Sequence, residues 1–540
     1  MTGSAQDPLL TVIACSRAGA TELAWHRFIA IGLGDRGDPT ALTVKGRLLK
    51  DRALRVRGTE RARLFKEASL AYEGAAVSET ITYPLINAAT LSLLGSEMKR
   101  AVTLAGRVLD RLESHPHDPE TPYYAAATRS EALLLLDRQE EARTAFAGAV
   151  ALAPRAWEDH ASTLRQFALI LAAQRRDCAW LDAYRPPRSL HFGGHMSFDP
   201  KVMRREHLDE KIAQVLEEEK IGFGFGALAA GADIIIAEAL LERGAEVHAI
   251  LPGGTEAFAA VSVDPFGKAW RRRFDAVLAM AETVRPVRPL GARPGAAMIG
   301  LADEVAMGAA LMNGRRLESS AVQLLVLDCA QEANGTSGRS RDIWAAGGWR
   351  QRILTAPRET RPEPSPPGAA DPEPLAVLAL GFGGEAGEAA WTALRDLMSS
   401  VAAPAYPPYL SEDRLILAYP GPGEAAGAAV LLLAAGSDTL PLRIGGQYGP
   451  ALAFRDPFSG AIRLAPAATA AASGALASSP PGTAIVTDDF AAALAAAGPR
   501  RPASEYIGEL DPPDEGPPVG LYALKSYDQL FQPLGGDDGQ

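Results

Sequence analysis

The stretch Ile221 to Pro252, IGFGFGALAAGADIIIAEALLERGAEVHAILP, decides the reading of the chain because it spells one complete strand, glycine turn, helix and strand. A short apolar strand ends near Phe225. Gly226 and Gly231 bracket a turn whose backbone can approach a ligand with no Cβ in the way. From Asp233 to Arg243 the apolar residues Ile236, Ala237, Leu240 and Leu241 recur at helical spacing, Gly244 supplies the stop, and Val247 to Leu251 form the next buried strand. This is half of a doubly wound parallel sheet, a fold that binds small ligands beyond the carboxyl ends of its strands.

Working outward, the sheet begins at SLHFGGHMSF from Ser189, where a strand runs into Gly193 and Gly194. It continues through a helix over Arg205 to Glu219, the central unit, LPGG at Leu251 to Gly254, a helix carrying Trp270 and Phe274, and a helix near Ala302 to Leu317. The strand VQLLVLDC at Val322 to Cys329 follows. Alternation of this kind predicts parallel strands with right-handed crossovers. Gly193-Gly194, Gly226 to Gly231 and Gly253-Gly254-Thr255 then fall on one edge, where backbone N–H groups would form an anion cradle. GFGFGA at Gly222 to Ala227 satisfies GxGxxA, but the following strand ends in VHAILPGG without the acid that a dinucleotide ribose needs, and no GxxxxGK[ST] loop occurs. His191 and His195 flank the first glycine pair without companion ligands, so no metal is expected.

Before Tyr184 the pattern is helical throughout, with turns at GLGDRGDP and SHPHDPETP. After Ala356, PRETRPEPSPPGAADPEP reads as an extended linker. A third part starts near Leu375 with the strand LAVLAL. A helix around Ala390 to Met398, the strand LILAY, an Ala-rich helix and LRIGGQYGPALAF, read as a β-hairpin, come next. The fold class is therefore multidomain: all-α helical repeats, an α/β Rossmann-like parallel sheet, and an α+β part. The expected boundaries are 1–185, 186–356, a linker over 357–374, 375–526, and a frayed tail over 527–540.

A chain of 540 residues exceeds one core, and its net charge of −11 argues against a nucleic-acid partner. Cys15, Cys178 and Cys329 are too few and too scattered for a disulfide framework or a zinc site, which fits a reducing cytoplasm. LLTVIAC at Leu9 to Cys15 ends like a lipoprotein cleavage site but lacks a basic lead and a long apolar core, so it reads as a buried strand or helix lead-in. No apolar stretch is long enough to span a membrane.

Several of these segments resemble known families. Ala125 to Leu152 and Tyr83 to Leu109 are similar to helix hairpins of tetratricopeptide arrays. GRLLKDRAL at Gly46 to Leu54, with Tyr83 and INAATL at Ile86 to Leu91, also resembles the helical TRAF-binding region of apoptosis-signal-regulating kinases; either likeness implies a groove for a protein partner. GALAAGADIIIAEALLERGAEVHAIL, with Ser262, Val263, Trp270 and Arg273-Phe274, resembles the SLOG superfamily of bacterial signalling proteins, the Rossmann-like group that includes DNA-processing protein A and the lonely-guy phosphoribohydrolases. That likeness implies a nucleotide or nucleotide-derived ligand contacting Gly194, Gly226, Gly231, Asp233, Glu238 and Gly254, and the glycine turns add Gly193, Gly253 and Thr255 as candidate contacts. PGGTE at Pro252 to Glu256 lacks the second glycine and spaced glutamate of the lonely-guy motif, which puts hydrolase activity in doubt.

Leu375 to Lys525 resembles a class III nucleotide cyclase domain of ferredoxin-like fold, most clearly in LRIGGQYGPALAFRDPFSG and SSPPGTAIVTDDFAAAL. Such cyclases use two metal-binding aspartates and an Asn and Arg pair. The four aligned positions here are Gly381, Asp413, Ala470 and Gly474, so cyclase activity is expected to be absent, with pairing to a second copy or to another cyclase domain retained. The leading expectation is a non-catalytic cytoplasmic signalling protein that senses a nucleotide-derived ligand, without catalytic residues or a cofactor. The alternatives are a nucleotide-processing enzyme in which Glu238 or Glu256 polarises water, and a protein-interaction scaffold alone.

Overall fold

The computed structural model describes residues 8–34, 36–78, 80–115, 121–197, 207–287, 294–328, 336–357, 372–384, 386–436, 440–498, 502–510 and 518–525. They fall into two compact units that divide at Pro186 and Pro187.

The first unit is helical: α1 (Pro8–Arg17), α2 (Thr21–Ala30), α3 (Pro39–Ala53), α4 (Gly58–Ala75), α5 (Tyr83–Leu94), α6 (Met98–Ser114), α7 (Pro122–Leu135), α8 (Gln139–Leu152) and α9 (Trp157–Ala173). Leu9 to Cys15 therefore lies in a helix rather than a strand. Three helix ends repeat one device, a residue in the left-handed region at Ser96, Asp137 and Arg175. Each of these N–H groups bonds back to Leu93, Leu134 or Ala172, and the next N–H reaches Ser92, Leu133 or Leu171, the bond pattern of a Schellman turn. Phe65, Phe146 and Phe167 anchor the core that these hairpins share.

The second unit holds two sheets. The first contains β1 (Arg188–Gly194), β2 (Ile221–Gly226), β3 (Glu246–Leu251), β4 (Thr283–Pro286), β5 (Ala321–Leu327) and β6 (Arg350–Thr355), in the order β4-β3-β2-β1-β5-β6 with every pairing parallel. Between them run α10 (Leu208–Glu218), α11 (Ala232–Glu242), α12 (Thr255–Ser262), α13 (Lys268–Met280), α14 (Ala296–Arg316) and α15 (Thr336–Ala346). Successive strand residues face opposite sides. Leu190, Phe192, Val322, Leu324 and Val326 share a core with residues of α10, α11 and α13, while His191 and Gln323 point to the side of α14 and α15.

Three details correct the sequence reading. Helix α14 begins at Ala296, six residues before the expected Ala302, because its early turns carry small residues, Ala296, Ala297 and Gly300, that blur the apolar period. Strand β5 closes at Leu327, and Cys329 lies outside the described residues, as does Arg205, the expected start of α10. Strands β4 and β6 went unread, since TVRP is short and RQRILT is mostly polar.

The second sheet contains β7 (Glu373–Phe382), β8 (Tyr409–Ser411), β9 (Arg414–Tyr419), β10 (Leu442–Ala451), β13 (Thr483–Thr487), β14 (Ala503–Leu510) and β15 (Val519–Lys525), in the order β14-β15-β13-β10-β7-β9-β8. Its helices are α16 (Glu388–Leu397), α17 (Pro422–Gly436), α18 (Ala467–Ala477) and α19 (Asp488–Ala496). LRIGGQYGPALAF is not a hairpin. Leu442 to Ala451 form one strand that opposes β7 over its whole length, and the hairpin lies later, between β11 (Ala453–Arg455) and β12 (Ile462–Leu464). Two glycines made the segment look like a turn. Gly445 is required instead because any Cβ there would collide with the Ala472 carbonyl of α18.

The two sheets meet through α14 and α19. A side chain at Gly308 would overlap the Ala492 carbonyl, so the helices touch backbone to backbone. Arg285 of β4 pairs with Asp488 and, at 3.0 Å, with Asp489. Tyr448 of β10 donates to Glu304 of α14 at 3.1 Å.

Candidate functional site

Strand β1 is the point where the sheet order reverses: the chain winds to β2, β3 and β4 on one side, then crosses to β5 and β6 on the other. Loops leaving β1 and β5 must diverge there, which leaves a crevice at the carboxyl edge. The crevice is present as a cavity of about 310 Å³. Phe192 to Met196 of β1 and its following loop form the floor, Leu325, Leu327 and Asp328 one wall, and Ala227, Ala229, Asp233 and Phe258 another. Ile299, Ala302 and Asp303 of α14 and Ser337, Gly338 and Ser340 of α15 close it.

Of the residues expected to contact a ligand, Gly193, Gly194 and Asp233 line this cavity. Gly226, Gly231, Glu238, Gly253, Gly254 and Thr255 do not. The glycines have other reasons to be there. A Cβ on Gly226 would sit 2.6 Å from the Phe192 carbonyl oxygen. Gly231 has φ +128° and would press on the His195 carbonyl and Ser197 N–H at 2.8 and 2.9 Å. Glu238 forms a two-pronged ion pair with Arg273 (2.8 and 2.5 Å), and Glu256 pairs with Arg271 at 2.8 Å, both away from the cavity. Asp233, Asp303 and Asp328 line the cavity, with no Lys or Arg among its described lining residues.

Asp233 occupies the first turn of α11 and is only 7% exposed. Its Oδ2 accepts the Ala229 N–H at 3.1 Å. Burial pushes its carboxyl up to about 7, a shift that the nearby Asp303 charge reinforces and the Ala229 hydrogen bond opposes.

Behind Asp303 runs a hydrogen-bonded chain whose direction is fixed at its far end. The Arg341 carbonyl can only accept, so the atom facing it is Gln351 Nε2, at 3.0 Å. The same nitrogen donates to Gln323 Oε1 at 2.6 Å. Gln323 Nε2 must then face the other way, donating to Ser340 Oγ and His191 Nδ1, both at 3.0 Å. His191 therefore carries its ring proton on Nε2 and gives it to Asp303 Oδ1 at 3.0 Å. His191 and Gln323 are fully buried, and Trp344 stacks on the imidazole with centroids 5.8 Å apart. The arrangement orients the Asp303 carboxylate, which lines the cavity.

Sequence reasoning missed this chain, although one signal was available. Gln323 interrupts a strand whose other residues are all apolar, and a polar side chain there has to find partners. Asp303 was harder to see, since an acid inside a misplaced helix reads as its solvent face. His195, the other histidine of the pair, bonds the Ala356 carbonyl at 2.7 Å. Among the described residues no group of three acidic, His or Cys side chains could hold a metal ion, and no helix is long and apolar enough to cross a membrane.

In the second sheet, Gly381 lies opposite Arg443, and a Cβ there would meet the Leu476 side chain at 3.5 Å. Asp413 sits in the turn between β8 and β9 with its side chain 86% exposed, 3.4 Å from Arg414. Ala470 and Gly474 lie on α18. In the helical unit, Thr90 of α5 and Gln166 of α9 donate to Glu131 of α7 at 2.6 and 3.1 Å, a polar cluster among packed helices.

No family model matches the chain, and no curated protein matches it. Solved structures do. They include an adenylate cyclase of Trypanosoma brucei (14% identity over 28% of this chain and 88% of that one, TM-score 0.24). An adenylyl cyclase from P. aeruginosa is 13% identical over 28% of this chain and 93% of its own, TM-score 0.23. The guanylate cyclase domain from Catenaria anguillulae, solved with GTP, is 12% identical over 29% and 99%, TM-score 0.25.

Proposed function

We propose that the chain is a non-catalytic signalling protein that senses a nucleotide or nucleotide-derived small molecule in the cavity between β1 and β5. The observation that carries the reading is the position of that cavity. It lies at the strand-order reversal of a parallel sheet, where such folds place their ligands, and its wall is shared with α14, the helix on which the cyclase-like part docks. Cyclase chemistry is absent from this reading, because Gly381 faces Leu476 and Asp413 is turned to solvent beside Arg414. The cyclase-like part is a regulatory or pairing module. Phe458, at the tip of the hairpin between β11 and β12, is 99% exposed, and Leu452 and Phe454 flank it, which favours a partner of the same kind on this side. The helical unit supplies the groove for a protein partner, and the cytoplasm is the compartment in which we place the protein.

The test is a thermal-shift screen of nucleosides and nucleotides on the full chain, since a ligand that binds only the native state raises its melting temperature. Stabilisation without turnover supports sensing. Turnover of the bound compound supports the enzyme reading, which would have to use Asp233 and Asp303, since Glu238 and Glu256 are ion-paired elsewhere. A flat screen overturns the sensing assignment and leaves the scaffold reading.

A further inference from the structure

The same cavity restricts what its ligand can be. At about 310 Å³ it sits at the small end of ligand sites, which run from about 300 to 1,000 Å³. A base with its ribose fills such a space, and a dinucleotide does not. Its polar groups are lopsided, because three carboxylates line it and no Lys or Arg is among its described lining residues, His195 being the one imidazole there. The amino end of α11, which would otherwise attract an anion, is already met by the Asp233 carboxyl. The remaining walls are apolar: Phe192, Phe258, Ile299 and Leu327.

Resting on the sensing function above, we propose that the moiety held in the cavity is an amino-substituted purine with its ribose, that its NH₂ group, joined in a guanine by the ring N–H, donates to Asp303 and Asp233, and that no phosphate enters. The hydrogen-bonded chain behind Asp303 is what makes this specific. Because Gln351, Gln323 and His191 are all locked in one direction by the Arg341 carbonyl, His191 always presents a donor to Asp303. Asp303 in turn offers the cavity an acceptor. A purine amine answers it, and a phosphate oxygen cannot. Asp233, pushed up to about 7 by burial, can hold a proton at neutral pH and so meet either a donor or a ring nitrogen on the same edge. A phosphate within about 4 Å of an ionised carboxylate would bind about a thousandfold less well at an intermediate effective dielectric.

The experiment is calorimetric titration of the full chain at pH 7.5 with adenosine, guanosine, inosine, AMP and ATP. Adenosine or guanosine should bind, inosine should bind at least tenfold more weakly than guanosine, and added phosphates should not tighten binding. Asp303→Asn should weaken the nucleoside tenfold or more, because an amide can turn its NH₂ toward the purine. Ala302→Leu, which fills space without altering a charge, should abolish binding. Inosine binding as tightly as guanosine, nucleotides binding tighter than their nucleosides, or an unchanged affinity in Asp303→Asn would each overturn the inference while leaving nucleotide sensing in place. Failure of every compound would overturn the sensing function itself. The nucleoside and nucleotide comparison uses unsubstituted protein, so it decides the matter even if a variant does not fold.

Discussion

Asp233→Asn should make the protein more stable at pH 8, against the usual result of changing a buried polar group. The carboxyl is 7% exposed, and burial raises it to about 7 from an ordinary value near 4. A raised acid binds its proton more tightly folded than unfolded. Its contribution to stability is therefore complete below about pH 4 and is lost as the pH climbs through about 7. Three units at about 1.36 kcal/mol each give about 4 kcal/mol of cost for holding the ionised group at pH 8. Solvent relaxation around the cavity reduces this to about 2–4 kcal/mol. Asparagine keeps the shape, and its carbonyl can still accept the Ala229 N–H, but it carries no charge. Urea unfolding of the full chain from pH 4.5 to 8.5, followed by tryptophan fluorescence, should show a gap in favour of the variant that opens as pH rises and closes below pH 5. A variant less stable than the parent at pH 8, or a gap independent of pH, would refute the reasoning.

Gly231→Val should lower the melting temperature and ligand binding together, because the new Cβ meets the backbone of His195 and Ser197 at a φ that valine does not adopt; binding lost at an unchanged melting temperature would instead restore a direct ligand contact. Purified full-length protein should form no cyclic AMP or cyclic GMP with magnesium or manganese, and turnover abolished by Asp413→Ala would contradict that. Gly308→Leu should cost about 1–3 kcal/mol by forcing α14 from the Ala492 carbonyl, and limited proteolysis should show cleavage between the two sheets that the parent resists. Light scattering should find the full chain self-associated and Phe458→Asp dissociated; a parent that is monomeric at 100 µM would remove the pairing role.

Much of the parallel sheet was legible because its signals are local. The strand, turn, helix and strand at Ile221 to Pro252 each need only neighbouring residues, and β2, α11 and β3 lie where the periodicity puts them. The site was legible only in position. A glycine at a strand end says that something approaches its backbone, but not what: at Gly226 it is the Phe192 carbonyl, at Gly194 the Val326 carbonyl and Ala232, and at neither is it necessarily a ligand. Ala468 of α18 packs into the core of its own sheet, and which face of such an alanine-rich helix is buried is not legible where almost every face is alanine. Asp303, Gln323 and Gln351 come from three separate elements, and nothing local to any of them announces the other two.

Glu238 and Asp303 show why acids in this unit divide into two kinds. Glu238 meets Arg273, whose guanidinium also stacks over Trp270 at 4.3 Å, so its charge is neutralised and its geometry is consumed by joining α11 to α13. Asp303 meets a histidine that returns one hydrogen bond and is itself held by amides, which orients the carboxylate without cancelling it. Only the second kind is of use to a ligand. The neighbouring residue Glu304 receives Tyr448 from the second sheet and Arg339 from α15 at 2.5 Å, so successive residues of α14 face the cavity and the second sheet. With Gly308 pinned against Ala492 one turn further along, that helix cannot shift at Asp303 without moving the contact at Tyr448.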